Sequence, residues 1–286
     1  MIKKNNYLIK TIKKYIFILF TISPLFLYTQ SALKYSTVNI DTAKLIATYS
    51  LKFVEDSLNN EFVKQEDMLL LIGNNVCWFI SKNLYPYIEK LKAIENDFQF
   101  QQFIINGIGE SPIPRIRYNI YLNYPSGKLT FTQNILSSTF KYEEDMNLFN
   151  WKLTEDIDTI SGFKVQKALC EFGGRSWVAW FTKEIPLNIG PYKFNGLPGL
   201  ILKISDTQNH YDFEFISINK PEKETVIEIQ QCDYVECTKL EFFKAEDGFR
   251  DDIINRAKEA GLNNKSQQTA ARNMAKRNNP IELKRK

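Results

Sequence analysis

Glu155, Asp156 and Asp158 put three carboxylates within four positions, and His210 is the chain's single histidine. Paired carboxylates can divide acid and base work on a glycosidic bond when a cleft holds them at a set separation. A histidine can act as base toward a hydroxyl or thiol that folding brings to it. Both signals are weak here. Acidic runs are common in solvated loops, and Asp206-Thr-Gln-Asn-His210 reads as an exposed turn. The patterns that would name a reaction are missing from the chain: Gly-x-Ser-x-Gly, His-Glu-x-x-His, a phosphate loop ending in Gly-Lys-Ser/Thr, and Gly-x-Gly-x-x-Gly. The sequence therefore favours a protein that is not an enzyme, with no assigned catalytic residue and no cofactor. A hydrolase using Glu155, Asp156 and Asp158 is kept as an alternative.

Cys77, Cys170, Cys232 and Cys237 permit three disulfide pairings. Cys232 and Cys237 are separated by Asp-Tyr-Val-Glu, close enough to pair across a turn. A zinc site needs clustered Cys and His, which one histidine does not supply, so no metal is expected. Cys77 sits in Val76-Cys-Trp-Phe-Ile80 and reads as a buried free thiol.

The elements that would position these groups are mostly short strands. Residues 43 to 54 form the first, with Tyr49, Leu51 and Phe53 at strand alternation, and Met68 to Gly73 and Val76 to Ser81 make a hairpin around Gly73-Asn-Asn75. Residues 86 to 105 turn helical, with Tyr87, Leu91, Ile94, Phe98 and Phe103 near one face, and Gly107 to Pro114 breaks the helix. Ile116, Tyr118, Ile120 and Leu122 alternate again, followed by a turn at Pro125-Ser-Gly127 and a return through Leu129 to Thr132. Trp151 to Thr154, Phe163 to Phe172, Ser176 to Thr182, Leu200 to Ser205, Tyr211 to Ile218 and Thr225 to Ile229 supply six more strands. A helix from about Cys237 to Ala260 ends at Gly261, and 267 to 277 forms a last short one. Serially connected short strands favour an antiparallel sheet over parallel crossovers.

Two segments stand out within this frame. Leu197-Pro198-Gly199-Leu200 suits a type II turn, with proline at the first central position and glycine supplying positive φ at the second. Leu200 to Ser205 then carries apolar residues on both parities, as a strand buried on both faces does. In the Ser176 to Thr182 strand, Trp177, Ala179 and Phe181 fall on one side and Val178, Trp180 and Thr182 on the other. Core packing accounts for this; a sharper reading makes Arg175, Trp177 and Trp180 a ligand face on a curved sheet. Arg175 could pair with Glu171, Glu184 or a ligand anion, a structural ion pair being the plainer choice.

The N-terminus sets the expected compartment. Lys3, Lys4, Lys10, Lys13 and Lys14 precede an apolar run from Tyr15 to Leu27, and Thr29-Gln-Ser31 follows, which reads as a secretory signal peptide over 1–31 cleaved before Ala32. No cysteine lies near the cleavage point, so lipidation is not expected, and membrane association is limited to the uncleaved signal. Removing that segment takes five lysines and no acid from totals of 37 and 33, leaving 32 against 33. The basicity thus belongs to the export signal and speaks against nucleic acid as a partner. Arg272, Lys276, Arg277, Lys284, Arg285 and Lys286 against Glu282 alone read as a solvated basic tail over 266–286.

Gly196-Leu-Pro-Gly-Leu-Ile201 resembles the signature of the GLPGLI family, exported proteins of Bacteroidetes with no settled activity. Trp151-Lys-Leu-Thr154, Gly162 to Ala168 and Gly173 to Pro186 are also similar to the family pattern, which covers about residues 150 to 215. The resemblance implies export to the periplasm or beyond and a β-rich fold. The expected architecture is α+β and predominantly antiparallel β: a curved sheet, half-barrel or bowl with flanking helices and a helical C-terminus. A single such domain spans 32–265. The expected function is that of an exported cell-envelope protein that binds an apolar or glycan ligand without reaction. A partner of an outer-membrane transporter or surface assembly is the second reading.

Overall fold

The computed structural model describes residues 35–284 except 60, 108–113, 260 and 262. The signal peptide with its cleavage point, most of the expected break at 107 to 114, and Arg285 and Lys286 lie outside the described residues. The chain divides into two compact units, Lys34–Glu246 with Arg277–Lys286, and a second whose described part is Asp247–Lys276.

The first unit is built on one open, curved twelve-stranded sheet. Its strands are β2 (Leu45–Val54), β3 (Val63–Ile72), β4 (Cys77–Ser81), β5 (Asn119–Leu122), β6 (Lys128–Ile135), β7 (Ser138–Asp145), β8 (Lys152–Ile160), β9 (Phe163–Phe172), β10 (Arg175–Thr182), β11 (Leu200–Asp206), β12 (Tyr211–Asn219) and β14 (Tyr234–Glu236). The order is β14-β7-β6-β5-β4-β3-β2-β12-β11-β10-β9-β8, antiparallel throughout except for β14 against β7. Helices flank this sheet, as expected. β1 (Thr37–Thr42) and β13 (Val226–Gln230) form a separate two-stranded sheet. Gly173-Gly174 turns β9 into β10 with φ of 60° and 81°, the two positive φ values that a tight hairpin between twisted strands requires.

Strand alternation sorts the side chains onto two faces. Tyr49, Leu51 and Phe53 join Met68, Leu70, Phe79, Phe131, Trp177, Phe181 and Phe213 in the main core on the inner face. On the outer face, Leu71, Trp78, Ile80 and Tyr121 form a smaller core under Ile227, Ile229 of β13 and Ile88 of α1 (Leu84–Lys92). That cover reaches only the middle of the sheet. Among the described residues, no layer covers the outer face over β8 to β12, where Val178, Trp180, Lys203 and Glu214 are half-buried.

The single helix expected over 86 to 105 is two, α1 and α2 (Asp97–Gly107). Asn96 separates them: its Oδ1 accepts the N–H of Gln99 at 2.9 Å, a cap that starts a new helix. Phe98, expected on the apolar face, is 69% exposed. After β14, α3 (Lys239–Asp251), whose residues up to Glu246 belong to the first unit, opens on a reciprocal cap. Thr238 Oγ1 accepts from Glu241 N–H, and the Glu241 carboxylate accepts from Thr238 N–H at 2.8 Å. Phe242 and Phe243 anchor its first turns in the main core. Within the second unit, α4 (Ile253–Glu259) packs on α5 (Asn264–Ala275), and Gly261 ends α4 at φ 70°. The helix expected over 237 to 260 is therefore interrupted at Asp252.

Residues 277–284 correct the reading of a solvated tail. Asn279, Ile281 and Glu282 are buried, and the N–H groups of Leu283 and Lys284 donate to the Gly173 carbonyl at 2.6 and 2.8 Å. The segment is a strap built into the first unit, because Glu282 finds two cations in the core.

Candidate functional site

The long connection between β10 and β11 carries the hexapeptide. Gly196 has φ 90° and Gly199 φ 150°. The expected type II turn does not form. Gly199 N–H bonds back to Leu197 O at 2.8 Å around Pro198, and Leu200 N–H, which a type II turn would direct to Leu197, goes to Ile185 O at 3.0 Å. A side chain on Gly199 would put its Cβ 1.9 Å from the Thr182 carbonyl oxygen, so the motif is a backbone-on-backbone crossing. Gly196 N–H bonds Asn188 O, Trp151 Nε1 donates to Asn195 O at 2.8 Å, and Tyr49 hydroxyl donates to Ile201 O at 2.8 Å. Held at these points, the loop drives Tyr192, Lys193 and Phe194 into the core, where Phe194 meets Trp177 edge-on at 4.7 Å.

Two buried polar clusters hang on this frame. Arg175 is buried, and its guanidinium donates to four oxygen acceptors. Nε donates to Ile281 O (3.0 Å), Nη1 to Asp206 Oδ2 (2.8 Å) with His210 Nδ1 at 3.3 Å, and Nη2 to Asn279 Oδ1 (2.6 Å) and Pro280 O (2.7 Å). Its ion pair is structural, as expected, but the partner is Asp206 rather than Glu171 or Glu184. Glu184 instead accepts Lys164 N–H at 2.8 Å. His210, expected exposed, is buried, because Asp206 Oδ1 accepts the N–H groups of His210 and Tyr211 at 2.7 and 2.8 Å and folds the turn inward.

The second cluster is a quartet of two lysines and two glutamates. Lys193 Nζ lies 2.5 Å from Glu144 Oε2 and 2.6 Å from Glu282 Oε1, and Lys239 Nζ lies 2.8 Å from Glu144 Oε1 and 2.7 Å from Glu282 Oε2. Tyr192 hydroxyl donates to Glu282 Oε1 at 2.6 Å. Burial pushes the Glu282 carboxyl up, but the charges of and hydrogen bonds from Lys193 and Lys239 outweigh it and hold the group below the usual carboxylate range. Both clusters tie the strap to the sheet, and the quartet ties in the motif loop as well through Lys193.

The outer face of β8 to β12 is a different environment. Register pairs Trp180 with Lys167 on one side and Lys203 on the other, and Lys203 with Glu214. In the next row Val178 stands between Leu169 and Ser205, and Ser205 pairs with Asp212. Trp180 is half-buried, its inner edge against the main core, and Lys167 Nζ is 5.9 Å from its ring. Lys203 reaches Asp212 at 3.8 Å and Glu214 at 4.0 Å, long contacts of partly exposed groups that add little stability. Asp212 Oδ1 is buried with no hydrogen-bond partner. Burial lifts the Asp212 carboxyl above its ordinary value; Lys203 opposes the rise and Glu214 adds to it.

The structure separates the three residues read as a ligand face. Arg175 is consumed by the strap, Trp177 is 1% exposed and donates its indole N–H to Phe172 O, and Trp180 alone stands on the open face. Glu155, Asp156 and Asp158 lie on β8, the edge strand, rather than in a loop. Asp156 is paired with Lys167 at 3.0 Å and is held below its ordinary value by the hydrogen bond and charge of that lysine, while Asp158 Oδ1 accepts Thr159 N–H at 2.7 Å. All four cysteines are free, Cys77 is half-buried rather than buried, and burial pushes the Cys77 and Cys170 thiols up to about 12. Among the described residues, no group of three or more His, Cys, Asp or Glu side chains could hold a metal ion.

Residues 174–203 match the model of a family described as a protein of unknown function, Porph_ging. The matched segment runs from Gly174 through β10 and the motif loop into β11. It holds Arg175, Trp177, Trp180, Lys193 and the hexapeptide. Two solved structures of PNGF-II, in space groups P21 and C2, are similar to the chain at 14% identity, with TM-scores of 0.49 and 0.48. Each covers 73% of this chain, which spans about a third of theirs, 34% and 33%. No curated protein matches the chain.

Proposed function

We propose that the chain is an exported cell-envelope protein of GLPGLI type that binds a glycan, without reaction, on the open face of β8 to β12. The observation that carries this reading is Trp180 set between Lys167 and Lys203 on a face that no layer among the described residues covers. A sugar ring offers apolar C–H faces to an aromatic plane and hydroxyls at its rim. Here the plane is flanked by lysine donors and by the carboxylates of Asp212 and Glu214, and the buried Asp212 Oδ1 is an acceptor without a donor. Such an orphan in an otherwise paired sheet calls for a reason, and a ligand hydroxyl supplies one. The inner face supports the apolar-ligand variant less, since Tyr192, Phe194 and Phe242 already fill it. The export half of the reading rests on residues 1–31.

Titration with a panel of envelope glycans and their fragments tests this, followed by calorimetry. Binding should weaken by roughly tenfold or more in Trp180→Ala, an effect of the size a lost aromatic platform implies. A panel without a single binder, or full affinity in Trp180→Ala, overturns the proposal. The hydrolase alternative finds little support. Asp156 is held in the direction opposite to that of a general acid.

Asp212 yields a second expected result. The folded chain holds its proton more tightly than the unfolded chain does. Its cost is therefore absent below the unfolded value near 3.8 and fully present once pH has risen through the folded value. Asp212→Asn should raise Tm at pH 7, leave it unchanged at pH 3, and weaken glycan binding. Thermal melts at the two pH values check the sign; a lower Tm at pH 7 contradicts it.

The partner reading has an observation of its own. β8 is an unpaired sheet edge with Leu153 and Ile157 exposed, the geometry of strand addition. Its acidic residues also guard that edge against pairing.

A further inference from the structure

Lys193 is 0% exposed, enclosed by the rings of Phe131, Tyr142 and Tyr192 at 5.6, 5.1 and 5.4 Å, and in contact with two carboxylates at once. A permanent ion quartet is one outcome of that arrangement. A covalent one is the other. We infer that Lys193 and Glu282 condense to an intramolecular amide, locking the C-terminal strap to the motif loop across 89 positions of chain.

The parts of an acyl transfer are all present. Lys193 Nζ is the nucleophile, 2.6 Å from Glu282 Oε1. Glu144 Oε2, 2.5 Å from the same nitrogen, is the base. The oxyanion develops on Glu282 Oε2, 2.7 Å from Lys239, while Tyr192 hydroxyl donates at 2.6 Å to Oε1, the oxygen that departs. Bond changes balance without a co-reactant. The Lys193 nitrogen forms a bond to Glu282 Cδ, and the Cδ–Oε1 bond breaks. Lys193 first passes one ammonium proton to Glu282 Oε1, which turns the ion pair into an amine and a neutral acid. A second proton leaves the nitrogen through Glu144 for the same oxygen, which exits as water. Glu144, Tyr192 and Lys239 end unchanged. Folding holds the reacting groups in contact, which replaces a bimolecular encounter, and the packed aromatic shell keeps water from returning to hydrolyse the product. Lys239 is the less suited nucleophile because it is partly exposed and remains hydrated.

The purified full-length chain, reduced and denatured, should weigh about 18 Da less than its sequence. A succinimide at Asp247-Gly248 would give the same loss, so the deciding readout is a protease map. The expected product is one branched peptide joining the Lys193 and Glu282 fragments. Glu144→Gln, which retains a hydrogen-bond acceptor but no base, should return both fragments unlinked. Lys193→Met should do the same. Separate Lys193 and Glu282 fragments from the wild-type chain, at full mass, overturn the inference whether or not either variant folds.

Discussion

Gly199→Ala is expected to destabilise the protein by at least about 4 kcal/mol, in the range reserved for backbone or core disruption. The new Cβ would lie 1.9 Å from the Thr182 carbonyl oxygen and 2.6 Å from its carbon. Neither atom can yield, because Thr182 ends β10 and pairs with Leu200 at the start of β11. The φ of 150° adds strain that glycine avoids. At roughly 2–4 °C per kcal/mol for a chain of this size, Tm should fall by about 8–16 °C. Gly196→Ala is the internal comparison. Its φ of 90° is unfavourable, but the nearest atom to its Cβ is Trp151 Nε1 at 3.8 Å. Strain alone, about 1–2 kcal/mol, is then the expected cost. Urea unfolding of the two variants separates the effects, and equal losses would show that crowding at Thr182 does not matter.

Arg175→Ala should be nearly as severe, about 3–5 kcal/mol, because it strands the buried Asp206 charge. It also removes three of the strap's anchors, at Asn279, Pro280 and Ile281. The strap beyond Arg277 should therefore become sensitive to protease while the sheet resists. Arg175→Lys should rescue little, since one ammonium cannot reach acceptors spread around a planar fork. The Arg175→Met, Asp206→Asn pair should recover part of the loss by removing both charges. A strap equally protected in wild type and Arg175→Ala would refute this account. Should the Lys193–Glu282 amide form, the strap stays tethered at Glu282, and cleavage would be confined to the residues before it.

How far these features could be read from residues alone depended on the range of the interaction. Local pattern sufficed for β9, β10, β11 and β12, where alternation and the turn pairs Ser161-Gly162 and Gly173-Gly174 mark the ends. It did not suffice for the burial of β11, read as buried on both faces, because Lys203 and Ser205 stand half-buried on the open face. It failed at β7, a strand of mixed polar and aromatic residues (Ser138–Asp145) whose pairing with β6 and β14 is not encoded in its own alternation. The aromatic strand was readable as two-faced, but the open face could not be told from the covered one. The β1–β13 cover stops over the middle of the sheet and leaves Trp180 half-buried on the outer face, while Trp177 is buried in the main core of the inner face.

Local sequence determined a β-rich, serially paired chain with a basic and then apolar N-terminal run and no recognised catalytic pattern. Periodicity, turn chemistry and composition act over a few residues, and these properties need nothing more. Tertiary structure decided the charges. Asp206 sits in a turn that read as exposed and Glu282 looked like one acid in a solvated basic tail, yet both are buried against counter-charges, Arg175 and Lys193, that lie 31 and 89 positions away. A charge enters a core only where folding has already placed its counter-charge, and that condition is invisible in the residues around it.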